Sequence, residues 1–107
     1  DNVSEDDQAV SEDVFTREEA LEDLIRLREF IAAKNPSAAH RVAAELLKGI
    51  ENLKTFPSLG VEVRRATDPN SLRDLVLGHY IVRYLIAGTA IYILRIWHHK
   101  EDRSPAQ

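Results

Sequence analysis

The chain has 107 residues, 44% of them hydrophobic and 30% charged, with neither Cys nor Met. That length supports one domain with a thin core, and the lack of Cys excludes disulfides, thiol catalysis and thiolate metal sites and fits a reducing cytoplasm. The formal charge of -4 is unevenly spread: six of the 18 acids (Asp1, Glu5, Asp6, Asp7, Glu12, Asp13) precede the first base, Arg17, so from Val14 onward 14 bases face 12 acids.

DNVSEDDQAVSED, residues 1–13, has few large apolar residues and no base, and reads as an acidic, solvated tail. It lacks the basic and apolar regions of a signal peptide. The longest apolar run, IVRYLIAGTAIYILRIW, is broken by Arg83 and Arg95, so no membrane span is expected. Thr16 and Glu19 spell a capping box, T-R-E-E, which predicts a helix from Arg17. Leu21, Leu24, Ile25, Arg28 and Ile31 follow at helical spacing, with Glu22, Asp23, Arg26 and Glu29 on the opposite side. Asn35-Pro36 ends this helix and opens another, because Pro disfavours a helical residue before it and suits a first helical turn. In the second helix Ala39, Val42, Ala43, Leu46, Ile50 and Leu53 form the apolar stripe, while His40, Arg41, Glu45, Lys48 and Glu51 face away. So short a connection makes the pair an antiparallel helical hairpin.

FPSLG is a turn marked by Pro57 and Gly60; VEVRR reads as a short strand or arm, and ATDPNS as a loop. LRDLVLG, YIVRYLI and AIYILRIWH are then three β-rich runs separated by Gly78-His79 and Ala87-Gly88-Thr89, predicting an antiparallel meander. In its middle strand Tyr80, Val82, Tyr84 and Ile86 share one face, and Ile81, Arg83 and Leu85 the other. With the helices on the first face, the second is partly open and carries Arg83. The fold class is therefore α+β: a short first strand if one forms, a helical hairpin, and a three-stranded meander packed on the helices.

The collinear series FIAAKNPSAAHRVAAELLKGIENLKTFPSLG, RDLVLGHYIVRYLI and IYILRIWHHKEDR resembles the ParE toxins of bacterial type II toxin-antitoxin modules, within the RelE/ParE superfamily. The resemblance covers roughly Phe15 to Arg103 within a toxin domain of residues 14–103, leaving the acidic tail and the C-terminal residues 104–107 outside, and it implies a short first strand near Asp13-Val14-Phe15. It further implies a cytoplasmic bacterial toxin that inhibits DNA gyrase, acts in plasmid stabilisation and growth arrest, and is neutralised by a cognate ParD-like ribbon-helix-helix antitoxin. The alternative within the superfamily is a RelE-like ribosome-dependent mRNA endonuclease. As aligned here, the basic positions of such nucleases fall on Leu72, Asp74 and Ile81, which are the wrong residue types for stabilising a crowded phosphate. Arg73 does not substitute for residue 74, because neighbours on a strand alternate faces.

The residues offer no other chemistry. His98 and His99 are consecutive, so on an extended strand their rings point apart and cannot share a metal ion. No serine lies in a G-x-S-x-G setting and the four glycines are isolated, so neither catalytic residues nor a cofactor site is expected. The near-neutral body argues against direct specific DNA binding. A protein target instead calls for a few Arg and aromatic anchors, and Arg73, Arg83, Tyr92, Arg95, Trp97, His98 and Lys100 are the candidates for that toxic surface, Trp97 being as well suited to the core. In ParE-like complexes the antitoxin crosses the helical hairpin, which implies Leu27, Phe30, Ile31, Val42 and Leu46 as its contacts. Exposed apolar residues there predict a homodimer when the antitoxin is absent.

Overall fold

The computed structural model describes residues 13–64, 66–68 and 71–101. Strand β1 (Asp13–Thr16) leads into helices α1 (Glu18–Lys34) and α2 (Pro36–Asn52), a short 3-10 turn (Pro57–Leu59), and strands β2 (Val61–Glu62), β3 (Leu72–Leu77), β4 (Tyr80–Ala87) and β5 (Ala90–His98). The five strands form one sheet in the order β1-β5-β4-β3-β2. The expected meander is its centre; β2 adds an antiparallel edge of two residues to β3, and β1 lies parallel to β5 with Val14 opposite Ile91. A parallel partner needs a long crossover, and here the whole hairpin and meander supply it. The acidic tail's first twelve residues and residues 102–107 lie outside the described residues; Asp13, which composition assigns to the tail and the resemblance to a first strand, is the first residue of β1.

Several expectations require correction at the start of α1. Thr16 is not its cap: it ends β1 opposite Ile93, the following Arg17 amide donates to the Ile93 carbonyl at 3.0 Å, and Arg17 is the N-cap with no side-chain hydrogen bond. Strand pairing holds the backbone extended where the capping box would have turned it. The buried stripe of α1 is also rotated from the expected one. Leu21 and Ile25 are 46% and 55% exposed, whereas Ala20, Asp23 and Leu27 are buried. The Asn35-Pro36 junction behaves as expected, with the Asn35 side chain accepting from the Ala38 amide at 3.2 Å and Pro36 opening α2.

The core lies between the hairpin and one face of the sheet, where Leu27, Leu46 and Leu53 meet Leu75, Val82, Tyr84, Ile91, Ile93 and Ile96. Ile93 and Ile96 differ by an odd number, and strict alternation would send them to opposite faces. A register shift between the pairs Arg83–Arg95 and Tyr84–Ile93 leaves Leu94 as an extra residue, so both isoleucines reach full burial. The two hairpin turns carry Gly78 and Gly88 at φ 63, the first-position glycine that two-residue turns of type II′ require. At Gly60 the need is for space: a Cβ there would lie 2.8 Å from the Tyr84 hydroxyl and 2.9 Å from the Asp74 carbonyl oxygen. Tyr84 is completely buried, and its hydroxyl donates to the Pro57 carbonyl at 2.6 Å while accepting from the Gly60 amide at 2.8 Å, fastening FPSLG to the sheet. Among the described residues no helix is long and apolar enough to cross a membrane.

Candidate interaction surfaces

The sheet face away from the helices carries Arg83, but not as the open anchor expected. Its guanidinium makes a two-pronged pair with Asp74, Nε to Oδ1 at 2.8 Å and Nη2 to Oδ2 at 2.9 Å, across the directly opposed positions of β3 and β4. It also sits 5.3 Å from the Trp97 ring centroid. Arg83 is 7% and Trp97 5% exposed, so both are covered side chains, and Trp97 lies opposite Ile81, outside the main core cluster. Tyr92 stacks on half-exposed Phe15 at 5.4 Å, joining β5 to β1 on this face.

Arg73 and Arg95, expected beside Arg83, serve elsewhere. Arg73 pairs with Tyr84 in register and donates to the Gly60 carbonyl at 2.8 Å and the Ser58 carbonyl at 3.2 Å, securing the turn under which Tyr84 is anchored. Arg95 gives Nε and Nη2 to Asp23 at 2.7 and 3.0 Å, and the same carboxylate accepts the Ile96 amide at 2.9 Å. β1 stops opposite Ile93, so Asp23 of α1 takes over the uncovered edge of β5. Burial alone would raise the Asp23 pKa; the hydrogen bonds from Arg95 and the Ile96 amide, with help from Arg26, bring it below the usual carboxylate value.

Past β5 the chain folds into a compact turn. The Glu101 carboxylate accepts from the His98 amide at 2.9 Å and pairs with Arg26 of α1, and the Glu101 amide donates to the His98 carbonyl at 2.8 Å. The neighbouring histidines do not point apart as an extended strand would require. The strand ends at His98, the turn swings His99 back, and the two rings stack at 4.9 Å. His79 joins them from the β3–β4 turn, at 5.8 Å from His98 and 5.3 Å from His99. Burial lowers the pKa of His98, and the charges of His99 and His79 would lower it further. Among the described residues no group of three or more His, Cys, Asp or Glu is placed to hold a metal ion. Lys100 is exposed at the turn.

On the helical side, Leu27, Ile31, Val42 and Leu46 line one narrow seam between α1 and α2 of about 10 Å³. Leu27 and Leu46 are buried, whereas Phe30 is 62% exposed and, with Leu27, Tyr80, His98, Lys100 and Glu101, lines a larger open pocket of about 310 Å³.

A family model described as the ParE toxin of the parDE type II toxin-antitoxin system matches residues 14–103. The chain belongs to the ParE toxin family. It is the toxin of a type II toxin-antitoxin system within the RelE/ParE superfamily. This ParE-family chain is 38% identical over 80 residues to Toxin RelE2 of Caulobacter vibrioides, covering 74% of this chain and 85% of that protein. It is 31% identical over 84 residues to Toxin RelE1 of the same bacterium, covering 78% and 89% respectively. Its fold is shared with a chain of the chromosomal ParDE system from P. aeruginosa, at a TM-score of 0.68 and 19% identity over 82% of this chain and 96% of that one. A chain of the toxin-antitoxin complex RelBE2 from Mycobacterium tuberculosis aligns at 0.61 and 23% identity, over 86% and 95%.

Sequence reasoning misses Asp23, His79, Tyr84 and Glu101 as residues that organise these surfaces. Asp23 alone carries a readable signal: the series Ala20, Asp23, Leu24, Leu27, Ile31 is itself a helical stripe, with an acid inside it.

Proposed function

We propose that this ParE-family toxin arrests growth by binding DNA gyrase and blocking replication, and that a cognate ParD-like ribbon-helix-helix antitoxin neutralises it in the bacterial cytoplasm. The observation that supports the target reading is the Asp74–Arg83 pair. Metal-free RNA cleavage needs a base for the 2′-hydroxyl, an acid for the leaving oxygen and cations for the phosphate. Leu72 and Ile81 offer none of these, and Asp74 presents a carboxylate that engages Nε and Nη2 of the Arg83 guanidinium on that face. Freeing Arg83 for a phosphate would leave Asp74 beside that phosphate, adding repulsion to the loss of the pair.

A protein-binding surface tolerates such pairing, because complementary shape and aromatic anchors carry it. Phe15 and Tyr92 stack on the outer face, and Val76 is 60% exposed opposite Ile81. Inhibition of this kind is stoichiometric in toxin and includes no covalent step. The antitoxin reading rests on the hairpin, where Leu21, Ile25 and Phe30 of α1 and Leu47 of α2 are 46–62% exposed. So much apolar surface on the helices of a small domain is suited to a covering partner, with Leu27, Ile31, Val42 and Leu46 as the seam beneath it, and to a homodimer when that partner is absent.

Inducing the chain in a bacterium and pulse-labelling with thymidine and with an amino acid tests the target. The gyrase reading requires DNA synthesis to stop first. Immediate loss of protein synthesis, with transcripts cut only under translation, would replace it by the ribosome-dependent nuclease.

A further inference from the structure

The imidazole trio adjoins the pocket on α1. His98 lines the 310 Å³ space together with Leu27 and Phe30, and the Tyr80 and His98 rings meet edge to face at 5.1 Å. The Lys100 amide donates to His98 Nδ1 at 3.0 Å, a bond that suits the neutral ring with its proton on Nε2. Two lysines stand close by: Lys100 lines the pocket, and the Lys34 ammonium lies 4.9 Å from the centroid of the Phe30 ring.

We propose that this pocket takes a large apolar side chain of the antitoxin, flanked in that partner by an acidic residue, and that the His98 imidazole in its wall makes its occupancy proton-sensitive, so that acidification loosens the toxin–antitoxin complex. The inference rests on the reading of α1 as antitoxin surface. The apolar lining of Leu27 and Phe30 calls for an apolar side chain, and the nearby Lys34 and Lys100 for an acidic neighbour. A second copy of the chain is a poorer occupant, since a two-fold contact through the same patch sets these lysines against each other.

The proton-sensitivity follows from linkage. Filling the pocket removes water from His98, which disfavours the imidazolium further than burial in the free chain does. His79 from the β3–β4 turn, together with His99 and Lys100 from the C-terminal turn, opposes charge on His98; Glu101 favours it, but is already engaged by Arg26 and by the His98 amide. The partner's acidic residue, neutralised by the lysines that attract it, offsets only part of the desolvation. Tyr80 on β4 stays neutral in this range, its pKa raised by burial and by Glu101 and Glu45, the latter from α2. A proton on Nδ1 would also end the bond from the Lys100 amide. Whatever binding takes from the proton affinity of His98, protonation takes from the affinity for the antitoxin.

The test is the dissociation constant of the complex with the antitoxin encoded beside this toxin, measured at pH 7.5 and at about pH 5. A one-unit depression of the His98 pKa on binding weakens the complex by up to about tenfold below both pKa values, so a loss of about three- to tenfold is expected for the native chain. His98→Asn, whose carboxamide oxygen accepts the Lys100 amide but takes no proton, should show less of that loss; the difference between the two chains isolates His98 from the antitoxin's own titration. NMR titration of the His98 ring in free and bound native chain should give a lower pKa when bound. Equal pH dependence in the native and His98→Asn complexes, or a His98 pKa unmoved by binding, overturns the inference alone. Absence of any complex at pH 7.5 overturns the antitoxin reading and the inference with it. A toxin dimer that Phe30→Ala dissolves, persisting in place of the complex, would give the pocket to a second copy instead.

Discussion

Replacing Asp23 by Ala removes the bolt between α1 and β5. The carboxylate is 4% exposed and accepts from Arg95 Nε and Nη2, from the Ile96 amide and, at 3.4 Å, from Arg26. Ala leaves the amide of fully buried Ile96 without a partner, a cost of about 1–3 kcal/mol. The Arg95 side chain is a third exposed, so water replaces much of what it loses and only about 1 kcal/mol is added. The expected total is about 3 kcal/mol, a large share of the roughly 5–15 kcal/mol that holds a small domain together. Asp23→Asn keeps one oxygen for the Ile96 amide but loses the charge and the second acceptor, its NH2 facing an arginine donor, so its cost should be about 1–2 kcal/mol. Guanidinium unfolding at neutral pH, followed by the fluorescence of Trp97, the sole tryptophan and a buried one, measures both. A loss below about 0.5 kcal/mol for Ala, or equal losses for Ala and Asn, would refute the reasoning. The same carboxylate sets an acid-side signature. Its folded pKa lies below the unfolded value, so its contribution is fully present at neutral pH and is lost as the pH falls through about 4 toward the folded value. Both variants should flatten the stability profile there.

Other substitutions probe the remaining fasteners. Tyr84→Phe removes the bonds to Pro57 and Gly60 and should cost about 1–3 kcal/mol, while Gly60→Ala should cost at least as much, because the new Cβ meets the Asp74 backbone carbonyl, which has little room to give; denaturant titration reads both. Arg83→Ala leaves Asp74 without its cation and uncovers one face of Trp97, so tryptophan emission should shift to the red; growth arrest should weaken while antitoxin binding, on the other face, is kept. Equal loss of both activities would argue against separate surfaces. Because the folded pKa of His98 is depressed, the unfolded chain binds its proton first, and stability should fall as the pH drops below about 6.5 toward the folded value. Thermal unfolding between pH 7.5 and about 5 should show that loss in the native chain and less of it in His98→Asn.

The hairpin and meander are legible because their signals are local. Asn35-Pro36 breaks a helical period, Gly78 and Gly88 punctuate runs of alternating β-formers, and Tyr84 falls on the face that the period of two assigns to it. What escapes a reading of the letters depends on distant partners. Thr16 resembles a cap until Ile93, far along the chain, claims that backbone for a parallel ladder. Asp23 reads as solvent-facing because nothing near it in sequence reveals Arg95 or the open edge of β5. The candidate toxic residues suffer in the same way: an arginine written beside aromatic residues suggests an anchor, yet Arg73, Arg83 and Arg95 each have an acceptor contributed by another element. The bulge at Leu94 also leaves no mark in the letters, since Ile93, Leu94 and Ile96 are all apolar and satisfy either register.

The central claim is that this toxin acts by occupying gyrase rather than by cutting RNA. The most direct measurement adds purified chain, released from its antitoxin, to purified gyrase and relaxed plasmid. Supercoiling should fall in proportion to toxin and recover when the antitoxin is returned. Undiminished supercoiling at a large excess of toxin, with messenger RNA cleaved on translating ribosomes by the same preparation, would contradict the account.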